Sequence, residues 1–373
     1  IRLYGREGKN RARTRCLEAA EDFRQTFGYS AQALFSAPGR TELGGNHTDH
    51  QRGCVLAAAV DLDILAAAAV TDSGVIRVLS QGYPMTEVSL RELTPQEGEK
   101  NTSAALIRGV ASRMQELGCA LWGRGLDVYM TSTVPKGSGL SSSAAFEVLM
   151  GTMLNELFWA GHCTPVELAQ IGQYAEHLYW DKASGLLDQM ACAVGGMITI
   201  DFKDPLKPVV EKIDYDFGAQ DHSLIIVQTG KGHADLSAEY SSIPSDMKKV
   251  AAVFGKEVCA DITEEEVIAR VTEVKEKAGD RALLRALHFF EENKRVEKEV
   301  CALKEDRFED FLELITESGN SSWKWLQNCY VPGSEEQGIT TALALTELFL
   351  KEKGCGACRV HGGGFAGVIM AMI

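Results

Sequence analysis

Residues 134–146, VPKGSGLSSSAAF, join a glycine- and serine-rich loop to the start of a helix. Gly137 and Gly139 let the backbone approach an anion without a Cβ in the way. The free N–H groups of a helix that begins near Ser141 would point back at the same anion. The segment therefore predicts a site for the phosphates of a nucleotide, formed by Gly137, Ser138, Gly139, Leu140, Ser141, Ser142, Ser143 and Ala144.

Composition alone leaves a second interpretation of this loop open, because a flexible Gly/Ser linker or an ordinary helix start has the same residue types. The loop also differs from two better-known phosphate loops. The chain has no Gly-x-x-x-x-Gly-Lys-Ser/Thr pattern and no strand-flanked Gly-x-Gly-x-x-Gly. A common P-loop and a dinucleotide-binding fold are therefore not indicated.

A second group of polar residues lies in 38–50, PGRTELGGNHTDH, which reads as a loop between two apolar strands. Arg40, His47, Asp49 and His50 lie within about a dozen residues and could surround a small polyol, since carboxylates and imidazoles pair with hydroxyls. A hydrated surface turn would explain the same composition, because loop residues are solvated by default.

Two carboxylates occur in mostly apolar helical sequence, Glu176 and Asp188. A buried carboxylate needs a partner, so each is either half of a structural ion pair or a working group. A third segment, 361–367 (HGGGFAG), is a glycine-rich turn that a tight hairpin would also explain.

Composition limits the classes of function. A chain of 373 residues with 45% hydrophobic content suits two domains. The net charge of −14 and the pI near 5.1 argue against nucleic acid or an anionic membrane as a partner. Ten scattered cysteines, several in apolar sequence, favour a reducing cytosol, and the single CxxC at Cys355 and Cys358 has no second pair.

No secretory signal and no apolar run of membrane-spanning length is visible. The chain begins at Ile1 and ends at Ile373 within an apolar run, as a trimmed version of a longer protein would.

Hydrophobic periodicity places these residues on an alternation of helices and strands. Expected helices are 13–26, a helix from the phosphate loop to about residue 160, 164–180, 185–194 and most of 234–353. Expected strands are 34–37, 54–70, 126–132, 197–202, 223–228 and two strands within 357–373. Thr164, Pro165 and Glu167 form a predicted capping box. Charge and two prolines in 201–221 suggest a boundary between domains 1–210 and 211–373.

Together these segments resemble the GHMP small-molecule kinases and, within them, the galactokinases, over nearly the whole chain. Residues 40–49 resemble the galactokinase signature, 134–145 resemble the family's phosphate loop, and 361–367 resemble its third motif. The segments 175–177 and 187–189 resemble the metal-ligand and catalytic-base segments, and 233–240 resembles a sugar-contacting stretch. Three motifs in family order are far more specific than any one alone.

The resemblance implies an α+β, two-domain GHMP kinase fold, with an N-terminal mixed sheet, a C-terminal helix-rich α/β sandwich and an active site in the cleft between them. It implies phosphorylation of galactose at the C1 hydroxyl by ATP and Mg²⁺. Asp188 would be the base and Arg40 its partner. Glu176 with Ser142 or Ser143 would hold the metal, and the sugar would contact Glu42, Asn46, His47, Asp49 and Tyr240.

Departures from the family pattern leave two alternatives open. The usual signature has Asn two residues after the Arg and Glu before His-Thr-Asp, whereas this chain has Glu42 and Asn46. If the two side chains neighbour each other, the exchange preserves an amide-to-carboxylate contact. A kinase for a related sugar, such as N-acetylgalactosamine, a uronic acid or arabinose, is the first alternative, and a non-catalytic sugar-binding regulator is the second.

Two further departures are Thr102 and Ser103 where an aromatic residue is usual, and Ala366 in place of a glycine. The expected protein is cytoplasmic and a monomer or weak homo-oligomer. Its expected partners are a sugar and ATP, with no nucleic acid and no membrane.

Overall fold

The structure, a computed structural model, describes residues 5–181, 184–230 and 236–373. Its contacts divide the chain into two compact units. Unit 1 consists of the chain up to residue 40, residues 59–136 and residues 140–195. Unit 2 consists of residues 41–58, 137–139 and 196–373. The predicted domain limits at 210 and 211 stay a prediction, since the units interleave along the chain.

The described residues contain helices and strands in mixed order, as expected for an α+β protein. The helices are α1 (Gly5–Phe27), α2 (Ser103–Glu116), α3 (Ser142–Trp159), α4 (Pro165–Ala175), α5 (Leu187–Val194), α6 (Ser237–Val253), α7 (Glu264–Ala269), α8 (Val271–Ala278), α9 (Asp280–Lys304), α10 (Phe308–Ser321) and α11 (Gly338–Lys353). The strands are β1 (Ala33–Gly44), β2 (Cys54–Thr71), β3 (Val75–Ser80), β4 (Thr86–Ser89), β5 (Gly125–Ser132), β6 (Met197–Asp201), β7 (Val209–Ile213), β8 (Leu224–Gln228), β9 (Ala357–Val360) and β10 (Val368–Met372).

Unit 1 contains strands in the order β4-β3-β5-β2, in which β3 runs parallel to β5 and the other pairs are antiparallel. Helix α1 packs on this sheet through Ala19 and Phe23, which meet Leu65, Ala67 and Tyr129. Helices α2, α3, α4 and α5 pack on one another. This helical layer carries the carboxylates that the sequence singled out.

The apolar strand β2 contains one buried acid, Asp63, whose side chain accepts hydrogen bonds from Arg15 Nη1 and Ser36 Oγ, both at 2.6 Å. Asp61 is exposed. Burial of a carboxylate in a strand is tolerated here because an ion pair and a hydroxyl stabilise its charge.

Unit 2 contains the pairs β2-β6 and β6-β7 and a separate antiparallel sheet in the order β8-β10-β9. One apolar core joins Leu43 and Leu56 to residues of α9, α10 and β10, and a second lies among α6, α8 and α9. Strand β9 lies against both α10 and α11. The 361–367 turn connects β9 to β10, as the sequence predicts.

The capping box that opens α4 is confirmed, since the Thr164 hydroxyl accepts from Glu167 N and the Glu167 carboxylate accepts from Thr164 N. The predicted helix 164–180 is regular only to Ala175, and a wide π-helical turn, Glu176–Trp180, replaces its last part. Helix α5 begins at Leu187, two residues later than predicted.

One expectation about the strands is corrected. Strand β1 continues to Gly44, so Arg40 and Glu42 lie on a strand and only the part after Gly44 is a turn. The segment 201–221, where the boundary between domains is predicted, contains a strand that was not expected, β7, and its ladder with β6 satisfies its backbone despite the charged sequence. Residues 231–235, which include the predicted helix start at 234, lie outside the described residues.

None of the helices within 5–181, 184–230 and 236–373 has the length and hydrophobicity that crossing a membrane would require.

Candidate functional site

Arg40 and Asp188 form an ion pair within unit 1. Arg40 Nε donates to Asp188 Oδ1 at 2.7 Å, and Ser141 Oγ donates to Asp188 Oδ2 at 2.6 Å. Arg40 is buried, whereas the Asp188 side chain keeps 28% of its surface exposed. Asp188 also lies in the first turn of α5. The guanidinium and the helix N-terminus both favour the ionised carboxylate, which can accept a proton from a group that reaches its exposed side.

Glu176 precedes Asp188 in the sequence and is almost completely buried. It begins the π-helical turn that follows α4. Its Oε1 accepts from Ser143 Oγ at 3.0 Å, and its Oε2 accepts from Ser184 Oγ and, at 3.0 Å, from Gln189 Nε2. The structure therefore brings together two of the predicted metal ligands, Ser143 and Glu176. Ser142 is the first residue of α3 and is half-buried.

The oxygen donors at this point fit a magnesium ion, because Mg²⁺ prefers oxygen and takes few protein ligands besides substrate phosphates. Glu176 also lies close to a second buried carboxylate, Glu147, because Gln189 Nε2 donates to one oxygen of each at 3.0 Å. Over the described part of the chain, no set of three or more His, Cys, Asp or Glu residues is arranged to hold a metal by itself.

The backbone of the phosphate loop has the left-handed torsions that its glycines allow. Gly137 has φ +68°, Gly139 has φ +72° and Ser141 has φ +55°. Helix α3 starts directly after Ser141, whose side chain does not cap it, so the first N–H groups of this 18-residue helix have no capping side chain. Such a helix start suits an anion.

At Gly139 a side chain is excluded by lack of space as well as by the backbone torsion, because neighbouring side chains of unit 2 lie too close. A Cβ at this position would lie 2.7 Å from Val368 Cγ2 and 2.8 Å from His361 Nδ1. The other ring nitrogen of His361 lies 2.9 Å from Thr41 Oγ1. At Gly137 a Cβ would meet nothing within 4 Å. Only one of the two glycines is therefore required for space.

The signature residues Glu42 and Asn46 contact each other in unit 2, as the interpretation of their exchange requires. Asn46 Nδ2 donates to Glu42 Oε1 at 2.8 Å and to the carbonyl of Gly362 at 2.9 Å. Asn46 Oδ1 accepts from Asn328 Nδ2 at 2.8 Å and Ser322 Oγ at 3.3 Å. The amide thus uses all four of its hydrogen-bonding positions on protein groups and has no exposed surface.

Glu42 is held by a buried cation that sequence reasoning missed. Arg359 Nη2 donates to Glu42 Oε1 at 2.8 Å, and Arg359 Nη1 donates to the carbonyl of Leu43 at 2.8 Å and to Ser318 Oγ at 3.0 Å. Arg359 is fully buried, while the Glu42 side chain keeps 10% exposure. The only signal in the sequence was a charged residue in an otherwise apolar strand, β9.

His47 and His50 lie side by side, with His47 Nδ1 3.3 Å from His50 Nε2. His47 Nε2 lies 2.9 Å from the carbonyl of Gly363. Burial lowers the pKa of His47 to about 4 and that of His50 well below its usual value, so both rings are neutral at pH 7. Asp49 starts a short 3-10 helix and accepts from the backbone N of His50 at 2.8 Å.

Tyr240 lies on α6 against the glycine-rich turn. Its hydroxyl donates to the carbonyl of Gly364 at 3.0 Å, and its ring makes an edge contact with Phe365 at 5.6 Å. Burial raises the pKa of Tyr240 to about 12, so the hydroxyl remains a donor. Tyr240 therefore meets the same 361–367 turn as Asn46 and His47.

Two buried acids on α9, Glu292 and Glu299, lie beneath the signature segment and were not expected. Burial would raise the pKa of Glu292, but the neighbouring cations, Arg295 and Arg359 among them, outweigh it and hold that pKa at about 2. Glu292 accepts from the backbone N of Gly45 and Asn46. Burial raises the pKa of Glu299 well above its usual value, and neither carboxyl oxygen has a hydrogen-bond partner among the described residues.

One departure from the family pattern has a local structural role. Thr102 is the N-cap of α2, and its side chain accepts from the backbone N of Ala105. Of the sugar-contacting stretch predicted at 233–240, the residues 233–235 lie outside the described part of the chain.

Comparison with known proteins identifies two family models in this chain. Residues 105–196 match the GHMP kinases N terminal domain, and residues 21–70 match the galactokinase galactose-binding signature. These two matches contain the phosphate loop, Glu176, Asp188 and the signature segment.

The chain is similar to named relatives over most of its length. It is 30% identical over 358 residues to a galactokinase of Streptomyces coelicolor, covering 95% of this chain and 87% of the relative. It is 31% identical over 356 residues to a galactokinase of Enterococcus faecalis, covering 94% and 88%.

The fold of the chain also matches solved structures of this group of kinases. The fold matches that of Lactococcus lactis galactokinase complexed with galactose with a TM-score of 0.80 at 25% identity, over 96% of this chain and 90% of that one. Methanococcus jannaschii mevalonate kinase shares the fold with a TM-score of 0.62 at 16% identity, over 91% and 90%. The chain belongs to the galactokinase family of the GHMP kinases.

Proposed function

We propose that this protein transfers the γ-phosphoryl group of ATP to the C1 hydroxyl of D-galactose and forms α-D-galactose 1-phosphate. The observation that carries the proposal is the Arg40–Asp188 ion pair at 2.7 Å, with Ser141 on the second carboxylate oxygen. It supports an ionised base next to a phosphate loop in a chain that carries the galactokinase signature.

In the proposed reaction Asp188 accepts the proton of the C1 hydroxyl as that oxygen forms a bond to the γ-phosphorus. The bond from the γ-phosphorus to the β–γ bridging oxygen breaks, and ADP leaves with the bond's electron pair. Arg40 keeps Asp188 ionised and stabilises charge on the transferring group. The 28% exposure of the Asp188 side chain supports access by a substrate hydroxyl.

The residues that would bind ATP are those of the loop 137–144. The start of α3 supports this assignment, because Ser141 does not cap it and the N–H groups of a helix's first turn suit phosphate oxygens. The left-handed torsions of Gly137 and Gly139 give the loop the turn that precedes this helix. Glu176, with Ser143 or Ser142, would hold Mg²⁺, which when bound offsets the charge of the triphosphate.

The residues proposed to contact the sugar are Glu42, His47, Asp49 and Tyr240. The neutral imidazole of His47 and the protonated phenol of Tyr240 suit hydroxyl groups better than a charged substituent. We assign Asn46 to orienting Glu42 instead, since its amide is buried and already makes four hydrogen bonds to the protein. The exchange of Asn and Glu therefore gives little reason to prefer a uronic acid, an amino sugar or arabinose over galactose.

An enzyme is favoured over a non-catalytic sugar-binding regulator, because the phosphate loop and the Arg40–Asp188 pair are both retained. We further propose a reducing cytosolic location, supported by ten cysteines that are all free. ATP and a sugar are the proposed partners, with a monomer or weak homo-oligomer as the working state. The charge of −14 opposes binding to nucleic acid.

A coupled ADP-release assay with Mg-ATP tests this proposal, using galactose, glucose, N-acetylgalactosamine, glucuronate, galacturonate and arabinose in parallel. We expect release with galactose well above the sugar-free rate. Release with another sugar but not with galactose would replace the assignment by a related-sugar kinase. Calorimetric sugar binding without ADP release from any sugar would favour the regulator.

A further inference from the structure

We infer that Gln189 and Glu147 are positioning residues that orient the Glu176 carboxylate for its metal. The inference rests on the proposed function, since it concerns the metal that would accompany ATP. The sequence does not mark either residue as functional. The amide of Gln189 does not titrate, and Glu147 is a single acid within the apolar helical sequence 144–150. The structure links the two residues to Glu176 directly.

The link is a single buried amide that donates to two carboxylates. Gln189 Nε2 lies 3.0 Å from Glu176 Oε2 and 3.0 Å from Glu147 Oε2. The exposed fraction of each of the three residues is 1% or less. A primary amide has two N–H hydrogens, and this geometry gives one to each carboxylate. Rotation of the Gln189 side chain would break both bonds together.

The two carboxylates also determine which way the amide faces. With the opposite orientation, Gln189 Oε1 would point at two acceptors of negative charge, which is repulsive. In the orientation found, Gln189 Oε1 is buried without a hydrogen-bond partner among the described residues. A buried acceptor without a donor costs free energy. The two hydrogen bonds from Gln189 Nε2 to Glu176 and Glu147 offset this cost. Glu147 therefore helps to fix the orientation in which the amide donates to Glu176.

The neighbouring helix α4 leaves the space that this arrangement needs. Gly172 has no Cβ, and one placed there would lie 3.1 Å from both Gln189 Cγ and Glu147 Oε2. Gln189 follows Asp188 directly on α5. One turn of helix therefore carries both the proposed base and the group that orients the proposed metal ligand, so the metal and the base are positioned by the same element.

Metal affinity is the quantity that this network should control. Residues that orient a metal ligand through a hydrogen bond typically contribute 10- to 100-fold to affinity. Gln189→Glu would place a third carboxylate between two others, and Glu147→Gln would remove the charge that holds the amide. Both changes alter the freedom of Glu176 without touching the substrate-facing side of Asp188.

The test measures Mn²⁺ binding to the protein with a non-hydrolysable ATP analogue, by electron paramagnetic resonance, beside the Mg²⁺ dependence of ADP release. We expect the Mn²⁺ dissociation constant to rise about 10- to 100-fold in Gln189→Glu and about 10-fold in Glu147→Gln. Galactose affinity, measured by calorimetry, should change less than about twofold. Glu156→Gln, an exposed change on the same helix as Glu147, is the matched control and should leave all three quantities unchanged.

Two results separate a positioning role from a merely structural one. Glu147→Gln added to Gln189→Met should cause no further loss of Mn²⁺ affinity, because Glu147 acts through Gln189. Gln189→Met keeps the volume of the side chain and replaces Gln189→Glu if circular dichroism shows that the latter is unfolded. A Mn²⁺ dissociation constant within about twofold of the wild type in the folded Gln189 and Glu147 variants would overturn the inference. Wild-type protein that binds Mn²⁺ and the nucleotide but phosphorylates no sugar would instead overturn the proposed function alone.

Discussion

Asn46 Nδ2 lies 2.8 Å from Glu42 Oε1, so the amide and the carboxylate that are exchanged relative to the family pattern still contact each other. The same Glu42 oxygen accepts from the fully buried Arg359 at 2.8 Å. A carboxylate at residue 42 is thus required by a buried cation as well as by its neighbouring amide. The pair belongs to a polar network that holds the signature segment on the turn at 361–367.

Replacing Glu42 by Gln should therefore be strongly destabilising, although the two side chains have the same shape. The change leaves the Arg359 guanidinium with Glu292, at 4.0 Å, as the other carboxylate within ion-pair distance. Loss of one partner from a buried ion pair costs about 3 to 5 kcal/mol. We expect the free energy of unfolding, measured by urea denaturation, to fall by about 3 kcal/mol.

The matched control is Asp310→Asn, which breaks the exposed ion pair between Arg307 and Asp310. Exposed pairs contribute at most about 1 kcal/mol, so the control should change stability little. Equal losses in the two variants would show that Arg359 does not depend on Glu42.

Asp188→Asn should remove phosphoryl transfer while sugar binding persists. The amide keeps the size of the carboxylate but cannot accept the proton, and general-base catalysis typically contributes about 10²- to 10⁴-fold. We expect the ADP-release rate to fall by at least about 100-fold, with the calorimetric dissociation constant for galactose within about threefold. Asp61→Asn, at an exposed position of β2, serves as control. Full turnover in the Asp188 variant would exclude it as the base.

Gly139→Ala and Gly137→Ala should differ although both glycines have nearly the same positive φ. Alanine in this region costs about 1 to 2 kcal/mol at either position. At Gly139 the Cβ would also meet Val368 and His361 within 3 Å, which adds about 1 to 3 kcal/mol of overpacking. We expect thermal denaturation to show a clearly larger loss for Gly139→Ala.

Val368→Ala would give the new methyl group room, and it should recover part of the loss caused by Gly139→Ala. Equal destabilisation by Gly137→Ala and Gly139→Ala would contradict the close contact of Gly139 with Val368 and His361.

Glu299→Gln should stabilise the protein increasingly as pH rises. Burial raises the pKa of Glu299 in the folded state, so the folded protein keeps a proton that the unfolded chain releases above about pH 4.5. The wild type therefore loses stability as pH rises from that value toward the raised pKa, by up to about 1.4 kcal/mol per pH unit. The variant has no carboxyl group at residue 299, so its stability lacks this dependence on pH.

Urea denaturation at pH 4, 6 and 8 measures this difference. The stability of Glu299→Gln relative to the wild type should be smallest at pH 4 and greatest at pH 8. Glu297→Gln, an exposed change on the same helix, should shift stability by less than about 0.5 kcal/mol. A difference that does not vary with pH would mean that Glu299 is ionised in the folded protein.

Much of the fold and of the candidate site was predictable from local sequence. The glycine loop before α3, the capping box of α4 and the turn at 361–367 follow from residue types that act on their own backbone. The contact of Arg40 with Asp188 was predictable through the family pattern, although 148 positions separate the two residues. The family assignment followed from three motifs in order.

The remaining features depend on contacts that no local pattern encodes. Gln189 bonds to Glu147, 42 positions away, and Arg359 bonds to Glu42, 317 positions away. A charged residue in the apolar strand β9 indicated that Arg359 needs a partner but not which one, and the residue type of Gln189 gave no indication. Strand β1 continues through Arg40 and Glu42 because tertiary packing outweighs a polar, glycine-rich sequence. The π-helical turn that begins at Glu176 was not predictable either, because the apolar periodicity of 164–180 is that of an ordinary α-helix.

The bonds of Arg359 and Gly362 to Glu42, Leu43 and Asn46 span 316 or 317 positions of the chain. During synthesis on the ribosome, the signature segment leaves the exit tunnel long before the residues that hold it have been made. Until they are made, Glu42 and Asn46 lack the partners on which their native geometry depends. The segment proposed to recognise the sugar is therefore translated well before the residues that complete it, and it takes its native geometry only after they have been made.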